Sequence, residues 1–264
     1  PLQVEPVVTI PKVLIDILAD STGVANEYKV IENSAQTFAD NINEFSGMIG
    51  ERQVGCPLVV HRRCIEPMFS ISNMISYDNR MFNKTHKKED YLKQEQPFLI
   101  KKSGWINVEG TENGSKDHFV KNQAERVCQL LENALHIYTN LYETDDKIFI
   151  ITPFRTVAES MRKFVIGYFS VKGYDKEMLT KWTRNCVGTV HTFQGKDANE
   201  VLFVLGCSDK SVGAMNWVVK KANILNVACT RAKYRIAFIG NLNDWKNRRY
   251  FREFIPKFID TIDA

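Results

Sequence analysis

From Leu58 onward, short apolar runs alternate with longer stretches of helical period. The runs are LVV (58–60), FLI (98–100), IFII (148–151), VGTV (187–190), VLFVL (201–205) and IAFI (236–239). They are continuous rather than alternating, as expected for parallel strands covered on both faces. Between the third and fourth runs, RTVAESMRKFVIGYF carries Val157, Met161, Phe164, Val165 and Tyr168 at helical spacing. Between the second and third, a longer helix is expected, opened by Asn122 with Glu125 three residues on as a capping box. It continues through Val127, Leu130, Leu131, Ala134 and Leu135. Repeated strand–helix alternation predicts a doubly wound α/β sheet.

The flanks read differently. Residues 1–50 are less regular, their best helix starting near Ser34 with Phe38, Ile42 and Phe45, and they are expected to connect into a main domain spanning 51–264. NKTHKKEDYLKQE (83–95) is a charge run expected to form a solvated insertion, and EGTENGSKD (109–117) a turn-rich loop. In the tail NLNDWKNRRYFREFIPKF, the aromatic residues Trp245, Tyr250, Phe251, Phe254 and Phe258 predict a terminal helix docked on the sheet.

Composition adds bounds rather than direction. The 264 residues, 44% hydrophobic, suffice for a core without disulfides or metals. With 35 Lys+Arg against 31 Asp+Glu, the net charge of +4 permits a polynucleotide partner without requiring one. Cys56, Cys64, Cys128, Cys186, Cys207 and Cys229 show no CxxC pair and no zinc-type spacing, so reduced, buried thiols, no metal and a cytoplasmic location are expected. No stretch approaches the roughly 20 apolar residues of a membrane span. PLQVEPVVTIP is neither a signal peptide nor a natural start, and the chain is expected to be part of a longer protein.

In open parallel sheets, ligands bind beyond the carboxyl ends of the strands. Three of the expected strands are followed there by unusual residues: His61-Arg62-Arg63-Cys64, Thr152-Pro153-Phe154-Arg155, and His191-Thr192-Phe193-Gln194-Gly195-Lys196-Asp197. Arginines, hydroxyls and a glycine along one edge suit phosphate oxygens. QGKD is not a phosphate loop of the G-x-x-x-x-G-K-[ST] kind, because Val190 and Asp197 break the pattern. No other stretch supplies one, so strong nucleotide triphosphate binding by this chain alone is not expected.

Taken in order, these fragments resemble the motifs of superfamily 1 helicases, in the branch that includes the nonsense-mediated-decay and Dna2-type enzymes. GTVHTFQGKDANEVLFVLG and ILNVACTRAKYRIAFIGN resemble motifs V and VI, PLVVHRRCIEPMFSISNMISY the arginine-bearing motif IV, IITPFR motif IVa, and PLQVEPVV the tail of motif III. The resemblance covers nearly the whole chain and implies the second, C-terminal RecA-like motor domain, a P-loop NTPase-like fold without its own Walker A. It implies catalytic roles for Gln3 as γ-phosphate sensor and for Arg63 and Arg231 as arginine fingers. A planar, always-charged guanidinium offered across a cleft stabilises the charge that spreads over a transferring phosphoryl group.

The resemblance further places Gly195, Lys196 and Asp197 near the nucleotide, although the family usually carries Glu where Asp197 stands, which leaves a direct ribose contact open. Thr152, Pro153, Phe154, Thr189, His191 and Thr192 would line a track for single-stranded nucleic acid. Arg62, often aromatic in relatives, is assigned no catalytic role. The implied cofactors are ATP and Mg²⁺, held mainly by an N-terminal RecA-like domain of the same polypeptide, so that the isolated chain is expected to be inactive. The resemblance implies travel from 5′ to 3′ along a single strand; it leaves DNA and RNA both open, with DNA favoured from the compact chain and its lack of low-complexity tails, and no membrane partner is expected. Two alternatives stand beside this: a non-catalytic nucleic-acid or protein binding module of RecA-like fold, and a P-loop enzyme such as a nucleotide kinase, against which the missing Walker A sequence weighs.

Overall fold

A computed structural model describes residues 44–49, 52–55, 59–85, 98–112, 114, 117–138 and 140–262. Gln3, the helix expected near Ser34, Cys56 and most of the 83–95 charge run lie outside them. In chain order the strands are β1 (Gly47–Ile49), β2 (Arg52–Val54), β3 (Val60–His61), β4 (Phe82–Asn83), β5 (Gly104–Asn107), β6 (Ile148–Thr152), β7 (Val187–Thr189), β8 (Ala198–Val204) and β9 (Ala232–Gly240). The helices are α1 (Met68–Ser76), α2 (Lys121–Ala134), α3 (Arg155–Val171), α4 (Lys176–Cys186), α5 (Val212–Val218), α6 (Asn223–Arg231), α7 (Leu242–Trp245) and α8 (Phe251–Phe258).

The main sheet runs β5-β9-β8-β6-β7, and every pairing in it is parallel. All five residues of β6 are buried, and β8 is buried throughout except at Asn199. Such strands need cover on both faces. Helices α2, α3 and α4 pack in one group, and α1, α6 and α8 in another. This is the RecA-like α/β architecture expected from the sequence.

Four of the six expected strands lie in this sheet. The run 58–60 contributes only Val60 to β3, which pairs in parallel with β4 outside the main sheet. The run FLI at 98–100 forms bends instead of a strand. Its backbone N–H groups are taken by a side chain: Leu99 and Ile100 each donate to the Glu200 carboxylate at 2.7 Å. The edge strand forms four residues later as GWIN, whose Gly and Asn are poor strand formers. Trp105 decides it, fully buried, stacked on Phe238 and donating from Nε1 to Gly240 O at 2.9 Å. The outer edge of β5 is closed by the tail, Trp105 N–H donating to Asp260 O and Ile262 N–H to Trp105 O, each at 2.8 Å.

The capping box expected at Asn122 does not form. The cap of α2 is Val120, with no side-chain hydrogen bond, and Asn122 sits exposed inside the first turn. The tail forms two short helices rather than one, and they bury Phe251 against Trp105 and Phe238, Phe254 against Phe238, and Trp245 against Phe251. The five described cysteines are buried, as expected. No described helix is long and apolar enough to cross a membrane.

Candidate nucleic-acid groove and phosphate-facing loop

Strands β6 and β7 are neighbours, Thr152 pairing with Thr189 at their carboxyl ends. The chain leaves β6 as Pro153-Phe154 and enters α3 at Arg155; it leaves β7 as a turn through His191 and Thr192. The two exits flank a groove of about 470 Å³ lined by Pro153, Phe154, Thr189, His191 and Thr192 together with Arg155, Arg162 and Trp217. Thus five of the six residues expected on a single-strand track line one cavity. The sixth, Thr152, is buried, and its Oγ1 accepts from Phe154 N–H at 3.4 Å, which fixes the exit from β6 rather than facing the groove.

The far wall is polar and held by its own turn. Thr189 and Thr192 are linked hydroxyl to hydroxyl at 3.1 Å, and Thr189 N–H donates to Thr192 Oγ1 at 3.2 Å. Gly188 is required there, because a Cβ would stand 2.9 Å from Thr192 side-chain atoms. The near wall is aromatic. Phe154 is buried, with the His118 ring 4.8 Å away on one side and the Trp217 ring 5.8 Å away on another. Trp217 itself is 49% exposed.

The sequence reading missed Trp217. It lies on α5, where Met215 and Val218 form the buried stripe, and so off the apolar face. A tryptophan out of phase with its helix's stripe was the available signal. Arg162 was also missed; it donates to Val187 O from Nε at 2.9 Å and Nη2 at 2.7 Å, so much of its role is to brace the end of β7. Arg155 pairs with Glu159 at 2.9 Å on the exposed rim.

The second cluster surrounds the turn between β7 and β8. Arg231 ends α6 and is fully buried. Its Nη1 donates to Lys196 O at 2.8 Å and Phe193 O at 3.3 Å, its Nε to Val227 O at 3.3 Å, and its Nη2 to Thr230 Oγ1 at 3.2 Å. Burial first, and then the charge of Arg63, pull its pKa down to about 10, so it stays protonated at neutral pH. An arginine in this pose points into the protein and holds the 193–196 turn from behind.

On the outer face of that turn, Gln194, Gly195 and Lys196 are exposed. Gly195 has φ +88° and open space where a Cβ would be, a conformation that favours glycine. Asp197 turns away to pair with Lys233 at 2.7 Å. Arg63 is half-buried and near enough to Arg231 to depress its pKa, and its segment is tied to β9 by Ile65 N–H donating to Lys233 O at 3.1 Å. The fold therefore brings Arg63, Arg231 and the Gly195–Asp197 turn to one place, although they lie far apart in sequence. An exposed glycine turn and two adjacent guanidinium groups fit an anionic ligand approaching from outside; the inward pose of Arg231 fits one only after its carbonyl bonds are exchanged.

The family described as AAA domain matches residues 44–243. An uncharacterized ATP-dependent helicase of Methanocaldococcus jannaschii is 26% identical over 214 residues, covering 75% of this chain and 28% of the relative. The chain thus spans a little over a quarter of the length of this curated relative.

Proposed function

The chain belongs to the AAA domain family, and from that premise we propose that it is the C-terminal RecA-like motor domain of a superfamily 1 helicase of the nonsense-mediated-decay and Dna2-type branch. It forms half of a single-strand track and one wall of an ATP cleft. The observation that carries this reading is the groove, in which Pro153 and Phe154 from one motif meet Thr189, His191 and Thr192 from another beyond neighbouring strands. Hydroxyls and turn N–H groups on one wall suit phosphates, and an exposed indole on the other suits the flat face of a base. Single-stranded DNA is the favoured substrate.

ATP with Mg²⁺, held mainly by an N-terminal motor domain, would supply the phosphoanhydride and the metal charge. On this side, Arg63, Gly195 and Lys196 would face the phosphates, and Arg231 would position the turn in the resting state. When the cleft closes, Arg231 becomes a finger by exchanging the Lys196 and Phe193 carbonyls for phosphate oxygens. Asp197 serves the turn through Lys233 rather than a ribose. Gln3, at the other end of the chain, would report the γ-phosphate to the track.

The complete burial of Arg231 favours a second reading, a RecA-like binding module that holds nucleic acid and hydrolyses nothing. The deciding experiment is single-strand-stimulated ATP hydrolysis by the full-length protein, wild type beside Arg231→Ala, with the isolated chain as control. Turnover in the wild type, a loss of at least about a hundredfold in the variant and an inert isolated chain support the motor. A full-length protein that binds single strands without hydrolysing ATP supports the binding module.

A further inference from the structure

Behind the aromatic wall lies a cluster that neither the groove nor the loop uses. One ligand atom each of Glu112, His118 and Cys207, a carboxylate oxygen, a ring nitrogen and Sγ, lie within 4.8 Å of one another. The Glu112 side chain is 2% exposed and that of His118 22%, and Cys207 is buried. The backbone fixes the arrangement: Cys207 N–H donates to His118 O at 2.9 Å, and both residues adopt positive φ, 58° and 54°. Gly206 beside them must remain glycine, since a Cβ would stand 2.6 Å from His118 O.

Both oxygens of the Glu112 carboxylate have partners. Glu112 Oε1 accepts from Ser208 N–H at 2.7 Å and from its hydroxyl at 3.5 Å, and Oε2 accepts from Ser211 Oγ at 2.8 Å, with His118 Nδ1 at 3.4 Å. Among the described residues, no Lys or Arg forms an ion pair with this carboxylate. The Cys207 thiol is buried beside Glu112 and His118. Its Sγ has no hydrogen-bond partner among the described residues.

We propose that Glu112, His118 and Cys207 form a zinc site, with the Ser211 hydroxyl or a water at the fourth position. A thiolate and a carboxylate bring two negative charges to a divalent ion, and a neutral imidazole completes a set of ligand types that suits Zn²⁺. Tetrahedral bonds of about 2.0–2.3 Å separate ligand atoms by roughly 3.3–3.8 Å, so side-chain rotation by about an ångström closes the set. Binding releases the Cys207 proton to solvent. Because the His118 ring packs 4.8 Å from Phe154, the ion would stiffen the groove wall from behind.

The test uses the full-length protein. Zinc content is measured on wild type, Cys207→Ser and His118→Ala, and Co²⁺ is titrated into metal-stripped wild type. The expected result is about one equivalent of zinc more in the wild type than in either variant. Affinity should fall by more than about a hundredfold in the variants, since loss of even an outer-shell partner costs about 10–100-fold. Co²⁺ should give a thiolate charge-transfer band that is absent from Cys207→Ser. A wild type giving no thiolate band, or a folded Cys207→Ser retaining the wild-type zinc content, overturns the proposal. The Co²⁺ titration of wild type decides the matter even if both variants fail to fold.

Discussion

The groove at the carboxyl ends of β6 and β7 and the cluster at the amino ends of β8 and β9 handle polar groups in opposite ways. Around the 193–197 turn the charges are spent internally: Arg231 donates to three carbonyls and a hydroxyl, and Asp197 is paired with Lys233. Deeper in the same half of the sheet, the buried carboxylate of Glu200 is likewise consumed by the N–H groups of Leu99 and Ile100. Around the groove, Trp217 is half exposed and His191 and Thr192 face solvent. The first region is held by its own hydrogen bonds and ion pair; the second leaves aromatic and polar groups open to solvent. Substitutions in the first should therefore be felt in stability, and those in the second in binding.

The largest effect is expected from Arg231→Ala. Removing a buried guanidinium takes the side-chain donor from the Lys196 carbonyl, leaves Phe193 O with only the Lys196 N–H, and opens a void, a cost of at least about 3 kcal/mol. That should lower Tm by roughly 6–12 °C in a domain of this size. Thermal unfolding read beside ATP hydrolysis, below the variant's own Tm, separates bracing from catalysis: normal hydrolysis there would leave Arg231 a brace only.

Glu200→Gln comes next, at about 1–3 kcal/mol, because an amide offers one oxygen where two backbone donors converge. It also carries a pH signature. Burial raises Glu200 from its ordinary value to about 7, against the two N–H donors and Arg235, which pull it down. A carboxyl raised in the folded state holds its proton when the unfolded chain has lost it. Its contribution is thus complete below the ordinary carboxylate range and is lost as pH rises to about 7. Denaturant unfolding across that window should show a decline in the wild type that the amide variant flattens; identical slopes would remove Glu200 as the cause.

Trp217→Ala should leave stability within about 1 kcal/mol and weaken single-strand binding by about 1–3 kcal/mol, the range for one lost base stack. Fluorescence anisotropy with a labelled oligonucleotide measures it, and unchanged affinity would move the track away from this wall. The smallest change is expected for Asp197→Asn. The pair with Lys233 is partly exposed and contributes about 0–1 kcal/mol, which a melt at low and high salt can resolve.

The strand–helix alternation was legible because buried parallel strands leave continuous apolar runs, and β6, β7, β8 and β9 were read this way. Edge strands carry no such mark. GWIN was missed because its stability comes from Trp105 packing and from the tail on its outer edge, both long-range. FLI was misread because a buried carboxylate one hundred residues away took its N–H groups. Pro153, Phe154, Thr189, His191 and Thr192 could be named from residue type and motif order. That they share one groove followed only from the adjacency of β6 and β7.

By itself, then, the sequence determined the layered α/β class, the buried thiols and the short segments that carry arginines, hydroxyls and glycine to strand ends, because these depend on periodicity and local residue chemistry. Only the tertiary structure decided that Arg231 points inward, that Trp217 faces the groove, and that Glu112, His118 and Cys207 meet. Those outcomes rest on desolvation and on contacts between residues far apart in the chain, which no local pattern encodes.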